Sequence, residues 1–154
     1  MFRLVAIVPL LVALCIAVPA LAEEDHPAAK PTPAKRALDH SGKKKRGKAS
    51  FYSRKFAGKK MADGTPLDPA AHVAASKTLP LGTKARVTNL ETGKSAVVEI
   101  RDRGPYVPGR TIDVTPAVAQ EIGLSRNKGV APVEVAPIAV PQPDGTVKPG
   151  DGGS

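Results

Sequence analysis

The sequence contains no tryptophan, three phenylalanines and two tyrosines among its 154 residues. Any hydrophobic core must therefore be built from valine, isoleucine, leucine and alanine, which suits a narrow barrel better than an open sandwich. The same shortage disfavours a nucleic-acid-binding protein, because proteins that hold single strands stack the bases on aromatic rings. The length leaves room for one modest domain.

Cysteine is equally scarce, since Cys15 is the only one. It lies in a leader with Arg3 near its start, then a long apolar run, then Ala20-Leu21-Ala22. This pattern is typical of a secretory signal peptide over residues 1–22, with cleavage after Ala22. A membrane anchor is the alternative, but two prolines interrupt the run, and we expect no membrane-spanning segment after cleavage.

Lipidation of Cys15 is a second alternative, which Leu14 disfavours because a lipoprotein signal has a small residue at that place. A chain cleaved after Ala22 has no thiol, so it forms no disulfide and offers no nucleophilic cysteine. The sequence therefore predicts an exported protein of the periplasm or cell envelope that is not lipidated.

The chain is strongly basic, with a net charge of +9. Residues 23–46 are rich in proline, alanine and lysine and have almost no large apolar side chain. We predict that they form a disordered tether, which can contact anionic surfaces of the envelope through its charge. Residues 140–154, rich in proline and glycine, are predicted to be a disordered tail, which leaves residues 47–139 as the folded domain.

Within that domain, short apolar segments alternate with loops rich in glycine and proline. Strands are predicted at residues 49–52, 84–90, 94–100, 110–114 and 130–138. The second and third of these are joined by a short hairpin loop in which Gly93 can take a positive φ. A helix is predicted to open at Thr115-Pro116 and to stop at Gly123. Many short strands and one small helix indicate a mainly β fold, a small barrel.

Five blocks of this domain, in order, resemble the rare lipoprotein A (RlpA) family. They are Gly47–Tyr52, Phe56–Gly64, Thr78–Thr83, Val87–Leu90, and Asp102–Tyr106 followed by Arg110–Asp113. The resemblance implies a six-stranded double-psi β-barrel with one or two short helices. It also implies an endolytic lytic transglycosylase without a cofactor, which cuts peptidoglycan glycan strands, preferably those lacking stem peptides, to a 1,6-anhydro product. The barrel is also similar to the wall-loosening domain of expansins.

The sequence departs from the family pattern at two positions. Thr65 stands where active members have a glutamate, and Ser76 stands where they have a histidine. Asp68 and Asp102 match the pattern, whereas His72 lies near the histidine position without matching it. The departures favour an alternative function, a non-catalytic peptidoglycan-binding or wall-loosening module.

Asp102 is the candidate catalytic group. A lytic transglycosylase activates no water, because the 6-hydroxyl of the substrate attacks C1, so one carboxyl group can act first as acid and then as base. Strand alternation is expected to send the neighbouring Arg101 and Arg103 to the opposite face, away from the carboxyl group. The alternative is structural, with Asp102 capping the Gly104-Pro105 turn.

Six further residues are candidates for binding the substrate: Tyr52, Asp68, Ser76, Arg103, Tyr106 and Arg110. The two tyrosines can stack on sugar rings, or they can equally be core or rim residues. The two arginines can bind the lactyl carboxylates of N-acetylmuramic acid. For Asp68 the favoured interpretation is a turn or helix cap, and Asp113 is interpreted as holding a neighbouring loop. No cluster of side chains has metal-ligand spacing.

Overall fold

The computed structural model describes residues 37–154. The predicted signal peptide and residues 23–36 of the predicted tether lie outside the described residues. Seven strands and one helix are present: β1 (Lys45–Phe51), β2 (Val73–Ser76), β3 (Lys84–Asn89), β4 (Ser95–Asp102), β5 (Arg110–Val114), α1 (Pro116–Glu121), β6 (Val130–Pro141) and β7 (Val147–Pro149). Short 3-10 turns lie at Arg54–Phe56 and Asp151–Gly153. Within residues 37–154, no helix is long and apolar enough to cross a membrane.

Six of the strands close into a barrel. Their order is β1-β5-β2-β4-β3-β6, and β6 pairs back onto β1. The β1–β5 and β2–β4 pairs are parallel, and the other pairs of the ring are antiparallel. The prediction of a six-stranded double-psi β-barrel is therefore confirmed, with β7 as an antiparallel addition to the end of β6.

Small aliphatic side chains fill the barrel. The most deeply buried are Ala49, Ala74, Ala85, Val87, Val98, Ile100, Ile112, Val114 and Val133. Val118 and Ile122, from α1 and its C-terminal end, pack against the same cluster. A ring of six strands has a narrow interior, which side chains of this size fill without an aromatic residue.

The structure differs from the sequence prediction at both ends of the domain. The segment Lys45-Arg46, predicted as tether, belongs to β1 and pairs with Val135 and Glu134 of β6. The predicted disordered tail contains β7 and the turn after it. Gly150 explains this packing, because a Cβ there would lie 2.3 Å from the carbonyl oxygen of Pro137. Close backbone contact therefore helps to order this segment, together with Val140, which is fully buried and pairs with Lys148 of β7.

Two further differences concern β2 and α1. The sequence analysis predicted no strand at β2, whereas the structure places this strand at the centre of the sheet, between β4 and β5. The helix begins at Pro116 as predicted, but Thr115 does not cap it. The hydroxyl of Thr115 instead donates a hydrogen bond of 2.6 Å to the carbonyl of Ala71, which ties α1 to the segment before β2.

Candidate active site

Four strands bring four residues into one line on the outer face of the barrel. Ser50 of β1 pairs with Asp113 of β5, Asp113 pairs with Ala75 of β2, and Ala75 pairs with Asp102 of β4. Directly paired residues point to the same face of a sheet. We call this line the outer row. It holds two carboxyl groups whose Cα atoms are about 10 Å apart, two strand spacings.

A β-bulge turns Asp102 outward. Simple alternation along β4 would point Asp102 the same way as Ile100, which is fully buried in the barrel. The pairing instead steps from Ala74↔Ile100 to Ala75↔Asp102 and leaves Arg101 as the extra residue. Bulges redirect side chains in this way and are common next to active sites.

The bulge also corrects the prediction that alternation separates Arg101 from Asp102. Both residues contact one loop: the amide of Ala62 donates to Asp102, and the amide of Asp63 donates to the carbonyl of Arg101. The guanidinium of Arg101 nevertheless binds other carboxylates. Its Nε lies 3.3 Å from Glu99 Oε1 and 3.9 Å from Asp63 Oδ2.

Three donors surround the carboxylate of Asp102. The hydroxyl of Tyr52 donates to Oδ2 at 2.9 Å, and the amides of Ala62 and Arg103 donate to Oδ1 at 3.0 and 2.8 Å. These three hydrogen bonds fix the position of the Asp102 carboxylate. Burial raises the pKa of Tyr52, and the charge of Asp102 raises it further. Tyr52 therefore remains a protonated donor near neutral pH.

Asp113 has a different environment. It accepts a hydrogen bond from the hydroxyl of Ser50, which in turn accepts one of 2.8 Å from Nη1 of Arg110. Burial raises the pKa of Asp113 and outweighs the lowering effects of Ser50 and Arg110, while the charge of Asp102 adds to the rise. The two carboxyl groups of the outer row thus have different surroundings: Asp102 accepts three hydrogen bonds, whereas burial raises the pKa of Asp113.

The sequence analysis assigned Asp113 to holding a loop and so missed it as a site residue. The structure places its carboxyl group against the neighbouring strand β1, not against a loop. One signal was available: Asp113 lies between Ile112 and Val114, both buried, so alternation sends it to the outer face. Which residues stand beside it on that face depends on strand pairing.

The loop of residues 57–68 lies over the outer face next to the outer row. Met61 and Leu67 from this loop pack against Val73 of β2, together with Tyr52 and Ala71, in a second apolar cluster. This packing positions the loop whose Ala62 amide reaches Asp102. It also buries both faces of β2, since the other face of β2 lines the barrel.

Thr65 lies in the same loop. Its hydroxyl and its amide both donate to Oδ1 of Asp63, at 2.7 and 2.9 Å. The hydrogen bonds from Thr65 lower the pKa of Asp63. The side chain of Thr65 is therefore engaged in holding its own loop.

The other predicted binding residues fall into two groups. Asp68 caps the following turn through the amide of Ala70 at 2.8 Å, and Ser76, 2% exposed, accepts the amides of Thr78 and Leu79. Nη1 of Arg103 donates to the carbonyls of Ser76 and Leu79, at 3.1 and 2.7 Å. These contacts hold the chain itself.

Tyr52 and Arg110, by contrast, contact members of the outer row, whereas Tyr106 is 76% exposed. Within residues 37–154, no three histidine, cysteine or acidic side chains cluster in a way that suits a metal ion.

A sequence model of the lytic transglycolase family matches residues 44–135, more than half of the chain and all of the outer row. The chain belongs to the lytic transglycolase family. One curated relative is the probable endolytic peptidoglycan transglycosylase RlpA of Nostoc sp.. It is 47% identical to this chain over 91 residues, which are 58% of this chain and 24% of that protein. The endolytic peptidoglycan transglycosylase RlpA of Pasteurella multocida is 47% identical over 95 residues, 62% of this chain and 32% of that protein.

The match thus spans about a third or less of these relatives' length. Among solved structures, the Streptomyces papain inhibitor aligns with a TM-score of 0.47 and 24% identity, over 62% of this chain and 94% of that chain. An expansin of Clavibacter michiganensis aligns with a TM-score of 0.48 and 20% identity, over 62% of this chain and 50% of that chain.

Proposed function

We propose that this protein is an endolytic peptidoglycan lytic transglycosylase, exported to the periplasm or cell envelope, where it remodels glycan strands. The observation that carries the proposal is the outer row, which presents two carboxyl groups in different environments on one face: Asp102 accepts three hydrogen bonds, and burial raises the pKa of Asp113. Such a pair suits acid-base chemistry on a glycosidic bond. The names of the RlpA relatives and the family of the chain support the same reaction class.

In the proposed reaction, Asp113 donates its proton to the O4 leaving group as the bond between C1 and O4 breaks. Asp102, whose carboxylate accepts hydrogen bonds from three donors, takes the proton of the 6-hydroxyl as O6 forms its bond to C1. The products are a 1,6-anhydro-N-acetylmuramic acid end and a free 4-hydroxyl end. No water is consumed, and proton exchange with solvent returns both carboxyl groups to their starting states.

This division of roles refines the sequence prediction that Asp102 acts alone. The three donors fix the position of the Asp102 carboxylate, where it can accept a proton and place negative charge near the developing oxocarbenium ion. The raised pKa of Asp113 supports the acid role. A second carboxyl group is then available although Thr65 stands at the family's glutamate position.

The direct test is to incubate the full chain, processed as it is in the cell, with amidase-treated sacculi and to detect anhydro-muropeptides by mass spectrometry. Asp102→Asn is expected to lower product formation by about 10²- to 10⁴-fold, as expected for loss of an acid-base group. Its stability should change by no more than about 1 kcal/mol, because the change is nearly isosteric and outside the core.

Asp144→Asn is the matched control. Asp144 is an exposed carboxylate that bonds only to Thr146 in its own turn, so its loss removes the same charge without touching the outer row. We expect wild-type product formation from this variant. Equal activity of Asp102→Asn and the wild type would rule out the proposed mechanism.

A second candidate function is a non-catalytic peptidoglycan-binding or wall-loosening module. It is favoured by one observation: Thr65 and Ser76 offer no acid-base group, and the hydroxyls of both form hydrogen bonds within their own turns. In this case the wild type sediments with sacculi and gives no anhydro product. Asp102→Asn would then change only the affinity for the glycan.

A further inference from the structure

Two hydrogen bonds in sequence connect Arg110 to the carboxyl group of Asp113. Nη1 of Arg110 donates to Oγ of Ser50 at 2.8 Å, and the hydroxyl of Ser50 donates to Oδ1 of Asp113. The register of β1 and β5 places Ser50 directly beside Asp113. Ser50 is 3% exposed, so little solvent competes for its hydroxyl. We call these three residues the relay.

The direction of the relay follows from the chemistry of its first member. A guanidinium group donates hydrogen bonds and has no acceptor, so the oxygen of Ser50 must accept from Arg110. The single proton of the Ser50 hydroxyl is then left for its other partner, Oδ1 of Asp113. The better acceptor of a protonated carboxyl group is its carbonyl oxygen. When Asp113 is protonated, its proton therefore lies on Oδ2, the oxygen that Ser50 leaves free.

Charged and titratable groups face Asp113 from its own strand, from both strands paired with it and from the strand beyond: Arg110 of β5, Tyr52 after β1, Lys77 after β2 and Asp102 of β4. Burial is the largest influence and raises the pKa of Asp113. The hydrogen bond from Ser50 and the charge of Arg110 lower this pKa, the charge of Asp102 raises it, and that of Lys77 lowers it. The relay thus limits the rise that burial causes.

We propose that Arg110 is a positioning residue, which acts through Ser50 to orient Asp113 so that the acid presents its proton on Oδ2. The inference rests on the proposed function, because it concerns the group that protonates the leaving O4. As the bond between C1 and O4 breaks, the proton passes from Oδ2 to O4 while Ser50 keeps hold of Oδ1. Arg110 itself does not touch the reacting atoms, so its loss should change kcat. If Arg110 bound a lactyl carboxylate instead, its loss would change KM.

The test is a double-mutant cycle in the full chain, with glycan strands from amidase-treated sacculi as the substrate. Arg110→Gln replaces the donor-only side chain by one that can also accept a hydrogen bond, and Ser50→Ala removes the middle of the relay. The third member of the cycle is the double variant Arg110→Gln/Ser50→Ala. Arg86→Gln is the matched control, because Arg86 is an exposed arginine of β3, which contributes nothing to the outer row.

At its pH optimum, Arg110→Gln is expected to lower kcat at least about tenfold, the effect of one charge-assisted hydrogen bond, and to leave KM within about twofold. Ser50→Ala should lower kcat to the same extent. The double variant should lose no more than Ser50→Ala alone, because residues that act through one contact are not additive. Arg86→Gln should match the wild type.

The pH profile adds a readout that a merely structural role would not change. The alkaline limb of the kcat profile reports the acid in the enzyme–substrate complex. Arg110→Gln and Ser50→Ala each remove an influence that lowers the pKa of Asp113, so the acid stays protonated to a higher pH. We expect the limb to move to higher pH in both variants and to stay in place in Arg86→Gln.

The outcomes separate the relay from the reaction. A raised KM with unchanged kcat in Arg110→Gln would overturn the positioning role, and this split is decisive even if Ser50→Ala fails to fold. Losses that multiply to about a hundredfold in the double variant would show that Arg110 does not act through Ser50.

Absence of anhydro product from the wild type would overturn the proposed function instead. The relay is then decided by NMR titration of the Asp113 carboxyl carbon in the protein without substrate. Its midpoint should rise in Arg110→Gln and in Ser50→Ala but not in Arg86→Gln. An unchanged midpoint in Arg110→Gln would overturn the relay.

Discussion

The two faces of the sheet β1-β5-β2-β4 differ completely although their residues alternate along the same strands. The inner face carries Ala49, Ile112, Ala74 and Ile100, all buried in the barrel. The outer face carries Ser50, Asp113, Ala75 and Asp102. A shift of one residue on β1, β5 and β2, and of two residues across the bulge on β4, therefore separates a packed apolar layer from a row that holds two carboxyl groups. The inner face specifies the barrel and leaves the outer face free to carry chemistry.

The strongest test of this contrast is on the inner face. Ile100→Ala removes a fully buried side chain that directly precedes Arg101, the extra residue of the bulge that directs Asp102 outward. We expect a loss of about 2–5 kcal/mol in the free energy of unfolding, from lost burial and from the cavity left behind. Chemical denaturation measures it. A loss below about 1 kcal/mol would mean that the inner face does not specify the fold.

On the outer face, Tyr52→Phe deletes one hydroxyl and keeps the ring that packs in the second apolar cluster. Asp102 then retains two of its three donors. We expect a loss of about 1.5–3 kcal/mol in stability and a fall of at least about tenfold in kcat, because a hydrogen bond to a charged group contributes that much. Unchanged kcat in a folded variant would show that the Tyr52 hydroxyl does not support Asp102 during the reaction.

The smallest expected effect is a change in how stability depends on pH. The pKa of Asp113 is raised in the folded state, so ionising this group costs free energy that the unfolded chain does not pay. The difference in the free energy of unfolding between the wild type and Asp113→Asn should not change with pH below the unfolded pKa of about 3.9. The wild type should lose stability relative to this variant as the pH rises through the folded value.

Asp144→Asn provides the comparison of opposite sign. Hydrogen bonds from Thr146 lower the pKa of Asp144, so its contribution is present above the unfolded value and disappears as the pH falls. Thermal unfolding of the wild type and both variants between about pH 2 and pH 7, on both sides of the unfolded value, measures the two slopes. Slopes of the same sign would contradict the assignment of Asp113 as the group that favours its proton.

Local pattern was enough to predict much of the barrel. The bounds of β5 were predicted without error, and the hairpin between β3 and β4 turns at Gly93 with a φ of 72° as expected. These segments alternate between buried and exposed positions, which is the signal that sequence carries best. The departure at β2 has a physical cause: all four of its residues are buried, so no alternation marks it.

The site was less accessible to sequence. Asp102 was predicted as the candidate catalytic group, and that role is still untested, but its outward direction depends on a bulge opposite Ala75. Asp113 becomes a neighbour of Asp102 on the same face only through Ala75, which comes from a strand that the pattern did not reveal. Pairings between distant strands decide both points, and no window of the sequence contains them.

The order of the ring has a consequence for how the barrel is completed. The first five strands can pair among themselves as β1-β5-β2-β4-β3, an open sheet whose two edges are β1 and β3. Only β6 joins those edges, through antiparallel pairing with both. Until β6 docks, two unpaired edges are exposed, and such edges are templates for association between chains. We expect a chain that stops before Val130 to aggregate even though both carboxyl groups of the outer row are present.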